Sequence, residues 1–170
     1  MNILFCGMPL SGKQETIKAI SRLTSTNKIA YSEYRLAQIV SLEIHVNSKR
    51  IKLLGTTGAV FYKSEVYKEL VSKADAICYL FSVDLTRASY EYQVDVFKEY
   101  IAVAQDLGKS WNQIPWVFLL TKVDLEPHNL FPVYVKSLAG SDFLKIAPIK
   151  NIGISDLWDK LMNLTFSEGK

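Results

Sequence analysis

One cluster of residues near the start of the chain has the types and spacing to hold a chain of phosphates. Gly7-Met8-Pro9-Leu10-Ser11-Gly12-Lys13-Gln14 fits the pattern G-x-x-x-x-G-K. Glycines permit a loop whose backbone N–H groups turn inward, so Gly7, Leu10, Ser11, Gly12, Lys13, Gln14 and Glu15 are candidates to cradle phosphate oxygens. A helix opening directly after the loop adds the partial positive charge of its N-terminus, and the Lys13 ammonium can reach the β- and γ-phosphates. An ordinary glycine turn with an exposed lysine is the competing reading, and an apolar run before the loop with a helical pattern after it argues against that. Position 14 departs from the pattern: a Ser or Thr there would put a hydroxyl on the nucleotide's Mg²⁺. Gln14 offers a carbonyl oxygen two methylenes further out, so as a metal ligand it needs a shifted loop or an intervening water. Phosphate binding survives that change better than magnesium binding does.

A second cluster, Thr121-Lys122-Val123-Asp124, follows the apolar run from Trp116 to Leu120. It is similar to the [NT]-K-x-D signature of guanine-nucleotide-binding proteins. The Asp124 carboxylate can accept from both N1–H and the exocyclic amine of guanine, a donor pair that adenine lacks, while the aliphatic stem of Lys122 can lie along a purine. Ligands of open α/β sheets sit at the C-terminal ends of strands, where both clusters fall.

The elements that must position them follow from periodicity. Asn2 to Cys6 reads as a strand and Gly12 to Leu23 as a helix with Ile17 and Ile20 on one face. After a polar stretch, Leu36 to Val46 and Arg50 to Leu54 read as strands joined by Asn47-Ser48-Lys49, a connection that favours an antiparallel hairpin. Phe61 to Val71 is helix-compatible and Ala76 to Val83 is a buried strand. Asp84 or Thr86 can cap a helix whose stripe is Tyr90, Val94, Phe97, Ile101 and Ala104. Phe143 to Ile146 supplies a short strand and Ile154 to Leu164 a last helix. This alternation predicts an α/β protein with helices on both faces of a sheet. At 170 residues, 49% hydrophobic, the chain suits one domain over 1–170. A net charge of +3 excludes a strongly basic nucleic-acid surface. Cys6 and Cys78 lie in apolar runs and are expected reduced and structural. His128 has no clustered partners that would make it a metal ligand.

With the two motifs in this order, the chain resembles the Ras-like small GTPase superfamily, a P-loop NTPase group, over almost its whole length. The similarity extends to bacterial MglA-type GTPases through Leu53-Leu54-Gly55-Thr56-Thr57-Gly58-Ala59-Val60-Phe61-Tyr62 and Trp111-Asn112-Gln113-Ile114-Pro115. The resemblance implies a three-layer fold with a six-stranded, mostly parallel sheet in the order 2-3-1-4-5-6, strand 2 antiparallel, and about five helices. It also implies GTP or GDP as ligand, with Mg²⁺ at a degenerate site. Where the superfamily carries D-x-x-G-Q, this chain has Gly55-Thr56-Thr57-Gly58-Ala59: Gly58 keeps an N–H for a γ-phosphate, but Gly55 has no carboxylate and Ala59 cannot orient water. The first switch, Asn27 to Leu36, has no threonine, which leaves Ser32 as the candidate second metal ligand. A catalytic arginine of MglA-type proteins falls near His45, with Arg35 as a possible replacement, and loss of such a cation slows hydrolysis by about a thousandfold or more. The superfamily's fifth motif, S-A-K, appears as Ala147-Pro148-Ile149, where the Ile149 N–H can meet the guanine carbonyl and Pro148 removes a donor.

Two functions follow from the resemblance. One is a nucleotide-dependent regulatory switch, at most a slow GTPase, that partners read through the switch segments. The other is a pseudo-GTPase scaffold that keeps the fold without cycling, which Gln14, Gly55 and Ala59 favour. An adenine-nucleotide kinase or ATPase is opposed by Thr121-Lys122-Val123-Asp124. The MglA resemblance suggests a roadblock-type partner, with Tyr31, Tyr34 and Tyr62 as contact candidates. Asn2 and the final Ser167-Glu168-Gly169-Lys170 carry no lipidation signal, so the expectation is a cytoplasmic protein without an intrinsic membrane anchor.

Overall fold

The computed structural model describes residues 1–26, 28–34, 37–57, 64–84, 89–110, 112–125 and 143–166. Its strands are β1 (Asn2–Gly7), β2 (Ile29–Tyr34), β3 (Ala37–Val46), β4 (Lys49–Thr57), β5 (Ala76–Ser82), β6 (Trp116–Thr121) and β7 (Leu144–Ile146). Four α-helices are described: α1 (Lys13–Leu23), α2 (Glu65–Ser72), α3 (Tyr90–Asp106) and α4 (Ile154–Phe166). A 3₁₀ turn covers Pro148–Lys150.

One sheet runs β2-β3-β4-β1-β5-β6-β7. Strands β4, β1, β5, β6 and β7 are mutually parallel, and β3 is antiparallel to both of its neighbours. Without β2 this is the expected order, with the expected antiparallel hairpin at Asn47 and Ser48. The expectation of six strands is therefore corrected to seven. Residues 29–34 looked like part of a polar connection, yet Ile29, Tyr31 and Tyr34 are β-formers, and pairing with β3 from Ile29 opposite Leu42 to Tyr34 opposite Ala37 satisfies their backbone. A strand at a sheet edge needs only one apolar side, so it leaves little hydrophobic signal.

The central strands are buried on both faces, as parallel strands between helical layers must be. Alternation sends Ile3, Phe5, Cys78 and Leu80 into one core with Ile17 and Ile20 of α1 and Leu157 and Leu161 of α4. It sends Leu4, Cys6, Tyr79 and Phe81 into the other, with Val66 and Leu70 of α2 and Phe97 and Tyr100 of α3. The two cysteines are buried and unpaired, one in each core, so they serve as small apolar groups.

Helix starts are set by short polar caps. Ser64 accepts from the Tyr67 N–H at 3.2 Å to open α2, and Ser89 accepts from the Tyr92 N–H at 3.3 Å to open α3. The expected cap of α3 at Asp84 is thus corrected, because Asp84 is engaged elsewhere, and Thr86 lies outside the described residues. Helix α1 has no side-chain cap: Gly12 precedes it at φ 96 with its first-turn N–H groups facing the cleft above the sheet.

Candidate nucleotide-binding site

The loop 7–12 leaves the C-terminal end of β1, and its conformation demands glycine at one point above the others. Gly7 sits at φ 140, and a Cβ there would come within 2.5 Å of the Leu80 carbonyl oxygen on β5. Gly12 at φ 96 and Leu10 at φ 62 complete the turn that aims the backbone inward. Lys13, only 4% exposed, folds back into this loop. Its ammonium donates to Gly7 O at 2.9 Å and Met8 O at 2.6 Å and lies 3.5 Å from Ser11 Oγ. Burial pushes its pKa down to about 8, because no water shell supports the charge. Such a desolvated cation beside uncapped helix N–H groups is suited to a phosphate chain.

The base motif joins the phosphate loop physically. Thr121, fully buried at the end of β6, donates its hydroxyl hydrogen to Ser11 O at 2.7 Å, with Phe81 O a second acceptor within reach at 3.0 Å. Lys122 follows at φ 60 and pairs with Asp84 Oδ2 at 2.8 Å. Asp84 stands just past β5, whose end is clamped by the buried Gln93: its amide accepts from Ser82 N at 2.9 Å and donates to Ser82 O at 2.8 Å. Asp124 lies 3.2 Å from the Lys150 ammonium across the cleft. The 3₁₀ turn carrying Pro148 and Ile149 is held to α1 by Arg22, which donates to Pro148 O at 3.2 Å and Asn151 Oδ1 at 3.4 Å. Ile149 is the second residue of that turn, where no helical carbonyl is available to its N–H.

Together these elements line a cleft of about 330 Å³ bounded by Leu10, Gly12, Lys13, Gln14, Glu15, Thr56, Asp84, Lys122, Pro148 and Ile149. Its lining combines the charged side chains of Lys13, Glu15, Asp84 and Lys122 with exposed apolar surface of Leu10 in the glycine loop and Ile149 in the 3₁₀ turn, a mixture that suits a ligand with both polyanionic and planar apolar parts. Gly7, Ser11, Thr121 and Asp124 belong to the same loops. Thr56 and Asp84 line the cleft though no sequence motif marks them, while Lys150 and its partner Asp124 stand outside the lining. Asp84 was foreseen only as a helix cap, and its place is set by β5 lying between β1 and β6.

The metal candidates do not converge. Gln14 Nε2 donates to the Tyr31 hydroxyl at 3.0 Å, so its amide is turned toward β2. Ser32 lies on the opposite face of β2: Tyr31 pairs with Val40, which belongs to the α1 core, whereas Ser32 pairs with Ile39, which packs against the α3 core. At Gly55 a Cβ would stand 3.0 Å from Ile17 Cδ1 and 3.4 Å from Val40 Cγ1, so this position faces apolar side chains. Among the described residues no three His, Cys, Asp or Glu side chains come together to hold a metal.

His45 is likewise apart from the cleft. It lies near the hairpin end of β3, opposite Arg50, with its ring 3.1 Å from Glu43. The seven residue steps along β4 from Arg50 to Thr57 put it roughly 20 Å from the phosphate loop. Arg35, Gly58, Tyr62 and His128 lie outside the described residues. Tyr31 is 46% exposed on the α1 side of β2, next to Gln14 and outside the cleft lining, and Tyr34 is at the end of that strand.

This is the fold of a P-loop GTPase G domain. Among solved structures, the chain is similar to the cytosolic domain of L. pneumophila FeoB, at 18% identity and a TM-score of 0.68, over 96% of this chain and 68% of that one. It is also similar to the G domain of the T. maritima FeoB iron transporter, at 11% identity and a TM-score of 0.69, over 97% and 98% of the two chains. At such identities the likeness is one of fold. No protein-family model and no curated protein sequence matches the chain. Among the described residues no helix is long and apolar enough to cross a membrane.

Proposed function

We propose that this chain is a cytoplasmic, guanine-nucleotide-binding G protein that acts as a regulatory switch, with GTP hydrolysis that is weak or supplied by a partner. The observation that supports this is the Thr121 hydroxyl bound to Ser11 O, which ties the end of β6 and the turn that follows it to the glycine loop, beside a cleft lined by Lys13 and Lys122. For binding, Asp124 exchanges its contact with Lys150 for the N1–H and amine of guanine, Lys122 and Ile149 flank the ring, and Lys13 turns from its own loop carbonyls to the phosphates. Partners would read the β2 and 58–63 segments, and the MglA-type likeness of residues 53–62 and 111–115 makes a roadblock-type regulator the first to try.

A pseudo-GTPase that does not cycle is the second reading, and the surroundings of Gly55 favour it, since a carboxylate there would have to displace the Ile17 side chain and would face apolar atoms. Titration of the protein with fluorescent GDP and GTP, competed by ATP, tests the first claim. Guanine-selective binding lost in Lys13→Ala and made less selective by Asp124→Asn is expected. Equal competition by ATP and GTP would refute the base assignment, and identical affinity for GDP and GTP with no turnover would favour the scaffold.

A further inference from the structure

Magnesium asks for near-octahedral oxygen ligands at short distance and is normally shared between protein and phosphates. The three positions that would supply it here are otherwise committed. Gln14 turns its amide nitrogen to Tyr31, Gly55 borders the apolar side chains of Ile17 and Val40, and Ser32 is on the wrong face of its strand. Thr56 brings a single hydroxyl to the cleft, and the Asp84 carboxylate is bound to Lys122. These residues do not fit a magnesium site.

They do fit a phosphate directly. A primary amide has two N–H donors, and the one given to Tyr31 leaves Gln14 a second, in a side chain that already lines the cleft next to Lys13. The Tyr31 hydroxyl accepts from Gln14, so its own hydrogen is left to donate. Donors that meet a charged oxygen make stronger bonds than neutral pairs. We infer that this cleft takes GDP or GTP as the metal-free anion, with the Gln14 amide and the Tyr31 hydroxyl donating to phosphate oxygens where other G domains place a cation. The inference rests on the nucleotide-binding reading above and adds the ionic form of the ligand. It also gives β2 a purpose: the added edge strand delivers Tyr31 over the start of α1.

The sign of the magnesium effect decides the matter. Free Mg²⁺ complexes the polyphosphate in solution and so competes with a protein that wants the bare anion. The full chain, washed with chelator, is titrated with fluorescent GDP and GTP in EDTA and again in millimolar Mg²⁺. The expected result is GDP affinity within about threefold in the two buffers and GTP affinity equal or weaker in magnesium, with Gln14→Ala and Tyr31→Phe each losing about fivefold or more in EDTA. A loss of more than about tenfold on chelation, erased by Gln14→Ala, would make Gln14 a metal ligand and overturn the inference while leaving nucleotide binding intact. Unchanged EDTA affinity in both variants would also overturn it. No binding at millimolar nucleotide in either buffer would remove the nucleotide reading itself, and this inference with it.

Discussion

Raising the pH should weaken nucleotide binding and strengthen folding at one and the same residue. Lys13 is buried, and its pKa falls from 10.5 to about 8. Only the charged form attracts phosphate, and between pH 7 and pH 9 the charged fraction drops from roughly nine tenths to one tenth, so GDP affinity should fall about tenfold. For folding the sign is opposite. The folded pKa lies below the unfolded one, so between about pH 8 and pH 10.5 the unfolded chain binds more protons and stability rises with pH. Integrated from pH 7 to 9.5, the gain is about 2 kcal/mol. Cys6 and Cys78 pull the other way, because burial raises their pKa values and the stability of the neutral thiols is lost as pH climbs past the unfolded value of 9.0. The quantity to measure is therefore the difference between the wild type and Lys13→Met, by urea denaturation at half-unit pH steps. That difference should move by about 2 kcal/mol in favour of the wild type as pH rises, while isothermal titration with GDP shows the fall in affinity. Parallel stability profiles, or GDP affinity flat from pH 7 to 9, would refute the account of Lys13.

Three further outcomes are expected. Gly55→Asp should not create magnesium-dependent binding and should destabilise the fold by about 3 kcal/mol or more, since its carboxylate would meet Ile17 and Val40; a thermal melt within a few degrees of wild type would refute this. Thr121→Val removes the donor to Ser11 O and Phe81 O while keeping the shape, so it should cost about 1–3 kcal/mol in denaturant unfolding and weaken GDP binding as the two loops separate. His45→Ala should leave any GTP turnover unchanged, because the ring pairs with Glu43 at the far end of the sheet; altered turnover in a phosphate-release assay would refute that placement.

Much of the molecule is determined by local patterns that the sequence displays. Glycine spacing before Lys13, apolar alternation in β1, β5 and β6, and the Asn47-Ser48 turn each specify their own backbone geometry, and burial on both faces marks the central strands as parallel, whereas the order of the strands was implied by the family resemblance alone. The glycine loop 7–12 and the turn from Thr121 to Asp124 were legible as backbone features for the same reason, as was the departure at Gln14. What local pattern does not contain is direction. Whether residue 31 or residue 32 of an edge strand faces α1 depends on its register with β3, and that register sets Tyr31, rather than the candidate metal ligand Ser32, beside Gln14. A carboxylate such as Asp84 becomes part of the cleft only because β5 runs between β1 and β6, bringing it to Lys122 from 38 residues away. The surroundings of Gly55 are likewise tertiary: its neighbours Ile17 and Val40 come from α1 and β3, and only their packing shows that a side chain there would meet apolar atoms.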